Sequence, residues 1–281
     1  MVNAFVPKNL NHCLEILNDQ NVRIVAGGTD MLIQNRSHTS MLIGFKSDVV
    51  YIANLEELNK IYEDDEFIYI GSCVSLEKII EETKVPKLLR DTILEMASPA
   101  IRHTGTLGGN IGNASPAGDS LVSLYVLDCE LEIKSYNNTR RVMLIDFIQG
   151  VRKINLERNE LITKIILPKA EFTNSYFKKV GPRLTDAISK LSFSGAYKVN
   201  KKVITDIRIA FGAVSKTIVR SKEIENRIIG LKIKDIAGMV NEIVSWYEPL
   251  IKPIDDQRSN KEYRKEVALN LLRDFLRNLE G

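Results

Sequence analysis

The first 55 residues alternate between two hydrophobic periods. Leu10, Cys13, Leu14 and Leu17 recur at helical spacing behind Pro7, which predicts an amphipathic first helix. Its apolar face needs a partner, and the run Val22–Ala26 reads as a short buried strand that supplies one. Met31-Leu32-Ile33 begins a short helix or turn, and a polar stretch follows from Gln34 to Ser40. Val49–Ile52 is β-branched and aromatic, so another strand is expected there. The alternation predicts a small α/β subdomain ending near Leu55.

The pattern then changes. Lys60–Tyr62 and Phe67–Ile70 flank Glu63-Asp64-Asp65-Glu66, a hairpin whose acidic tip reads as solvent-facing rather than as a metal site. Ser75 is placed to cap a helix carrying Leu76, Ile79 and Ile80, and a second helix runs from Leu88 to Met96. Beyond Asp119, the residues Leu121, Val122, Leu124, Tyr125 and Leu127 predict a buried helix. Leu131 and Ile133 alternate with charges and pair with Arg141–Ile145 across Asn137-Asn138. Leu161–Leu167 is a further strand, stopped by Pro168. Ser192–Val199, Val203–Ile209 and Phe211–Val214 read as a meander, followed by helices over Ile236–Trp246 and Tyr263–Leu279. In the last helix Val267, Leu271, Leu272, Phe275, Leu276 and Leu279 form one apolar stripe, which reads as core. The chain therefore divides into residues 1–55 (α/β), 56–170 (α+β) and 171–281 (antiparallel sheet plus helices).

Two glycine-rich stretches interrupt this pattern. Thr104–Asp119 holds three Ser/Thr, two Asn and several glycines, including Gly108, Gly109 and Gly112, with bulk only at Leu107 and Ile111. Such a backbone can approach a ligand closely, and successive N–H groups can form an anion-binding concavity. A tight turn with a helix behind it is the plain alternative. The strand at Val22–Ala26 runs directly into Gly27-Gly28-Thr29-Asp30, a second set of backbone donors with a hydroxyl. Neither stretch fits G-x-G-x-x-G or a P-loop. Two separate glycine-rich loops are what a diphosphate held between two subdomains requires.

Composition narrows the class. A chain of 281 residues with 44% hydrophobic and 27% charged content is that of a globular protein with an ample core. A net charge of +3, with the basic residues dispersed, gives no nucleic-acid footprint. No apolar run approaches a membrane span and the N-terminus lacks signal-peptide form, so a cytoplasmic address is expected. Cys13, Cys73 and Cys129 are isolated among apolar neighbours and read as buried thiols. His12 lies on a helix, His38 in a polar stretch and His103 before the main glycine run. No hydrolase elbow or metalloprotease motif is present. That poverty of side-chain chemistry fits a protein whose cofactor carries the reaction.

Ala26-Gly27-Gly28-Thr29-Asp30 with Thr106-Leu107-Gly108-Gly109-Asn110 and Asp119 resembles the FAD-binding subunit of molybdenum hydroxylases, the xanthine dehydrogenase and carbon monoxide dehydrogenase medium subunits. The resemblance continues through Glu160–Thr163, Tyr176-Phe177-Lys178 and Pro253–Ser259 with Tyr263-Arg264. It implies a two-subdomain FAD-binding fold of the vanillyl-alcohol-oxidase/PCMH type, followed by a smaller C-terminal α+β domain. By the same resemblance, Ile24, Val25, Ala26, Gly27, Gly28, Thr29, Asp30 and Met31 hold the FAD diphosphate. Thr106, Gly108, Gly109 and Asn110 form a second wall, and Asn113 is a further cofactor-binding residue. Asp119 accepts from ribityl or ribose hydroxyls, Ile162 lies by the isoalloxazine, and Lys178 sits near the ring.

The implied reaction begins on a partner subunit bearing the molybdenum cofactor. Electrons pass through 2Fe–2S clusters on another partner to FAD, and on to NAD⁺ or another acceptor. The three lone cysteines leave this chain no ligands for a cluster of its own. Met96 takes the place where some xanthine dehydrogenases stack an aromatic residue on the flavin, and the loop of Arg183 and Asp186 lies close to the ring in relatives. Carbon monoxide dehydrogenase-type or nicotinate-type subunits and a self-sufficient FAD oxidase are the alternatives.

Overall fold

The structure is a computed structural model that describes residues 2–36, 44–183 and 186–280. His38 and most of the polar stretch ending at Ser40 lie outside the described residues, as do Leu184 and Thr185. The chain forms two compact units, and neither is a single continuous segment.

The first unit comprises Met1–Val85, Ala97–Ala114 and Cys129–Lys169. It opens with a three-stranded parallel sheet in the order Ala4–Phe5, Val49–Tyr51, Arg23–Val25. The helix Leu10–Asp19 starts where the Asn9 side chain accepts from the His12 amide at 2.9 Å. Its buried Cys13, Leu14 and Leu17 pack with Val22, Val50 and Ile52, as the helical spacing predicts. A five-stranded antiparallel sheet follows in the order Ile61–Glu63, Phe67–Gly71, Leu161–Pro168, Glu130–Lys134, Thr139–Met143. The acidic hairpin tip holds its own turn together, since Asp64 accepts from the Glu66 and Phe67 amides and from the Tyr69 hydroxyl.

The main glycine run is largely helical rather than a loop. Pro99–Thr104 and Leu107–Asn113 are helices, the second capped where Thr106 Oγ1 accepts from the Gly109 amide at 3.1 Å. Leu107 and Ile111 are buried on its inner face. Gly108 is required by packing, because a Cβ there would lie 2.5 Å from the Ser72 carbonyl oxygen. Tertiary fit overrides the poor helix propensity of glycine at this point.

The second unit comprises Pro86–Met96, Ser115–Asp128 and Ala170–Gly281. Two segments expected in the middle subdomain, residues 86–96 and 115–128, thus pack with the C-terminal part of the chain. Its antiparallel sheet has the order Asn174–Val180, Leu191–Asn200, Val203–Gly212, Val219–Arg220. Every residue from Leu191 to Tyr197 is buried, so both sheet faces are covered. One face carries Phe193 and Tyr197, which meet Phe275 of the helix Lys261–Arg277. The other carries small residues: Ser194 is 3.2 Å from Ser123 of the helix Asp119–Val126, and Ser123 is 2.6 Å from Thr92. The predicted strands over Val203–Ile209 and Phe211–Val214 are one strand, ended by Ala213 at φ 59°. The apolar stripe on the last helix packs into this core.

Candidate functional site

Within the first unit, a cavity of about 400 Å³ opens between the end of the Arg23–Val25 strand and the helix Leu107–Asn113. The chain leaves the strand through Gly27 and Gly28. Gly28 sits at φ 69°, and Gly27 is so close to the Thr104 carbonyl that a Cβ would lie 2.0 Å from its oxygen. This closeness turns the segment Gly27–Asp30 along the cavity wall. The amides of Gly27, Gly28, Thr29 and Asp30 donate to no protein acceptor among the described residues. Four adjacent free donors on a cavity wall form a site for a negatively charged oxygen group.

The opposite wall works differently from the expected ring of amides. The Leu107 amide donates to the Val74 carbonyl, Gly108 to the Ser72 carbonyl and Gly109 to Thr106 Oγ1. The first turn of this helix is therefore satisfied internally. It offers the cavity a smooth surface of Gly109 and Gly112 with the side chains of Asn110 and Asn113. A Cβ on Gly112 would meet nothing within 4 Å, so that glycine faces open space. Gln34 bonds to Asp30 and reaches Asn113 at 3.3 Å, closing one end with side-chain amides. Ile52, Ile154, Leu156, Leu161 and Ile162 supply an apolar floor.

Of the residues singled out in sequence, Ile24, Ala26, Gly27, Gly28, Thr29, Asp30 and Met31 line this cavity, as do Thr106, Gly108, Gly109, Asn110, Asn113 and Ile162. Val25 does not. Asp119 and Lys178 belong to the second unit. Asp119, expected to accept from cofactor hydroxyls, is 5% exposed and serves its own unit. Its Oδ1 accepts from Ser189 Oγ at 2.5 Å and its Oδ2 pairs with Lys179 Nζ at 2.9 Å. Burial pushes its carboxyl up, against the pull of Lys179 and Ser189. Lys179, not Lys178, is the buried lysine of the pair, because neighbours on the strand Asn174–Val180 point to opposite faces. Burial also raises the Glu95 carboxyl, opposed by Lys178 and Lys179.

His103 is exposed and Met96 is buried in the second unit; neither lines the cavity. Arg183 donates to the Asp186 backbone carbonyl. The three cysteines are free and buried. Burial pushes the Cys13 thiol up to about 11 and the Cys73 thiol up to about 12, which keeps both unreactive.

The sequence reading missed Arg23, Gln34, Ile52, Ser72, Arg152 and the apolar pair Ile154 and Leu156. The last three lie on a short hairpin and the segment after it, too irregular for any periodicity to mark. An ion pair anchors that segment: Arg140 Nε and Nη2 each lie 2.8 Å from a Glu160 oxygen, and Nη2 also donates to the Asn155 carbonyl. The hydrogen bond from Arg140, ahead of all other causes, holds the Glu160 carboxyl below its ordinary value. A depressed folded-state value contributes stability that is present above the unfolded value and lost as pH falls through the folded one. Thermal unfolding below about pH 4.5 is therefore expected to show a steeper acid loss in the natural chain than in Glu160→Gln. Equal acid slopes would remove this pair from the account of the cavity floor.

Residues 1–170 match the model of the FAD-binding domain in molybdopterin dehydrogenase, and residues 175–279 match the CO dehydrogenase flavoprotein C-terminal domain. The nicotinate dehydrogenase FAD-subunit of Eubacterium barkeri is 30% identical over 99% of this chain and 97% of its own. The glyceraldehyde dehydrogenase medium chain of Sulfolobus acidocaldarius is 29% identical over 93% and 92%. The fold is that of a chain in the solved CO dehydrogenase from Oligotropha carboxidovorans, with a TM-score of 0.87 and 23% identity over 98% of this chain and 96% of that one. These matches make the chain an oxidoreductase flavoprotein subunit. The chain belongs to the FAD-binding medium subunits of the molybdenum hydroxylase family. Among the described residues, no helix is long and apolar enough to cross a membrane.

Proposed function

We propose that this chain is the electron outlet of a heteromeric, cytoplasmic molybdenum hydroxylase of xanthine dehydrogenase type. In this reading 2Fe–2S clusters on one partner deliver electrons that originate at the molybdenum cofactor of another, and NAD⁺ is the acceptor. The observation that carries it is the set of four unpaired amides, Gly27 to Asp30, on a cavity faced by a glycine helix. The residues present fit a dinucleotide: free donors for a diphosphate, room beside Gly112, and an apolar floor for a planar ring.

When bound, FAD supplies both the hydride exchange and the one-electron exchange that such a relay needs. The chain's own residues bind and shield it. The Gly27–Asp30 amides and the Thr29 hydroxyl hold the diphosphate. Thr106, Gly108, Gly109, Asn110 and Asn113 close the second wall. Ile24, Ala26 and Met31 on the wall, with Ile162 on the floor, exclude water. The substrate hydroxylated by the complex is chosen on a partner, so carbon monoxide-type and nicotinate-type complexes share this outlet.

The test is an anaerobic absorbance titration of the FAD-loaded chain with NADH. Bleaching of the oxidised flavin bands by NADH, and none by purines alone, is the expected result. A chain that keeps FAD and ignores NADH would replace the nicotinamide with another acceptor.

A further inference from the structure

The cavity has three charged residues on its walls: Asp30, Arg23 and Arg152. Asp30 is engaged by Gln34. Neither guanidinium has a hydrogen-bond or ion-pair partner among the described residues. The two differ in how the backbone holds them. Arg23 lies in an ordinary strand position. Arg152 sits in the turn between the paired residues Gly150 and Lys153, at φ 55°. An L side chain rarely adopts that conformation, and glycine is the usual occupant. The Arg152 amide is fixed there by donating to the Ala114 carbonyl at 3.1 Å. Ala114 is itself left-handed, at φ 46°, and ends the glycine helix next to Asn113. Two left-handed residues joined by one hydrogen bond thus hold an exposed, unpaired cation on the cavity wall.

Of the non-glycine residues at positive φ among the described residues, Arg152 alone lines the cavity, which points to a use for its side chain there. The need is visible on the opposite wall, where the first turn of the glycine helix has its amides already taken. A dinucleotide diphosphate carries two negative charges, and amides alone would leave them poorly compensated in a partly buried site. We infer that Arg152 is the counter-charge to the diphosphate of the bound dinucleotide, completing from one end what the Gly27–Asp30 amides begin. This rests on the reading of the cavity as the FAD site. A planar guanidinium suits that partner, because its fork matches phosphate oxygens.

The test uses the full chain freed of flavin and titrated with FAD, followed by quenching of flavin fluorescence, with the thermal midpoint of the FAD-free form measured alongside. Arg152→Gln is expected to bind FAD about tenfold more weakly at low salt, and the gap should shrink towards about twofold near 0.5 M salt as the charge is screened. Lys153→Gln removes the same charge one residue away, outside the cavity lining, and should bind as the natural chain does. Arg152→Gly separates binding from folding: its FAD-free midpoint should hold or rise, since glycine accepts the turn, while FAD affinity falls. Natural affinity in Arg152→Gln would overturn the inference. So would equal weakening by Lys153→Gln, or a fall in both midpoint and affinity in Arg152→Gly. Failure of the natural chain to take FAD at any salt would instead overturn the reading of the cavity, before any variant is compared.

Discussion

Gly27→Ala is expected to abolish FAD retention and to destabilise the first unit by about 3 kcal/mol or more. The new methyl carbon would lie 2.0 Å from the Thr104 carbonyl oxygen and 2.8 Å from its carbon. Both are backbone atoms, at the end of the helix Pro99–Thr104, so no side chain can rotate away. Either the helix shifts or the Gly27–Asp30 segment leaves the wall, and in both cases the free amides lose their alignment. Gly112→Ala is the contrasting substitution. Its methyl group meets nothing within 4 Å, and alanine in a helix gains about 0.5–1 kcal/mol over glycine. Thermal unfolding and FAD titration of the two variants check the pair of expectations. A Gly27→Ala protein with natural stability and natural FAD affinity would show that the close approach to Thr104 is dispensable.

Lys179→Met should be the most damaging change in the second unit, at about 3–5 kcal/mol. Lys179 and Asp119 side chains are 5% and 6% exposed. Removing the ammonium leaves a carboxylate buried with no cation, beside the hydroxyls of Ser189 and Ser192. The carboxyl, already raised by burial, then rises further. A folded-state value above the unfolded one means that stability is fullest below the unfolded value and is lost as pH climbs through the folded one. The deficit of Lys179→Met is therefore expected to narrow on going from about pH 8 to about pH 5. Adding Asp119→Asn removes the orphaned charge and should restore much of the loss, since a buried pair replaced on both sides is often near neutral. Denaturant unfolding of the two variants at both pH values decides it. A pH-independent deficit, or no recovery in the double variant, would mean that packing rather than charge holds this contact.

What was legible in the sequence follows the range of the forces involved. Helix and strand periods carried the first helix, the hairpin at Glu63–Glu66 and the C-terminal stripe, because in each the buried face repeats regularly along the chain. The strand–Gly27-Gly28-Thr29-Asp30 junction was readable for the same reason, since a strand ending in glycines is a local event. The helical state of Leu107–Asn113 was not. Local propensity argues against a helix containing three glycines, and only the fit of Gly108 against Ser72 and the Thr106 cap decide otherwise. Lys179 was overshadowed by Lys178 because the face of an irregularly patterned strand is settled by what packs on it. Arg152 carried no signal at all: an arginine in a short turn looks like any surface charge until its backbone angle is known.

The interleaving of the two units bears on how this protein can be cut and recombined. The helix Asp119–Val126, buried along its whole length, lies in sequence between the second and third segments of the first unit, yet it covers the small-residue face of the second unit's sheet. A gene split near residue 170 would give an N-terminal fragment with a naked apolar helix and a C-terminal fragment with one sheet face bare. Both products invite aggregation. Transplanting the flavin module is thus expected to succeed only with the whole chain as one cassette.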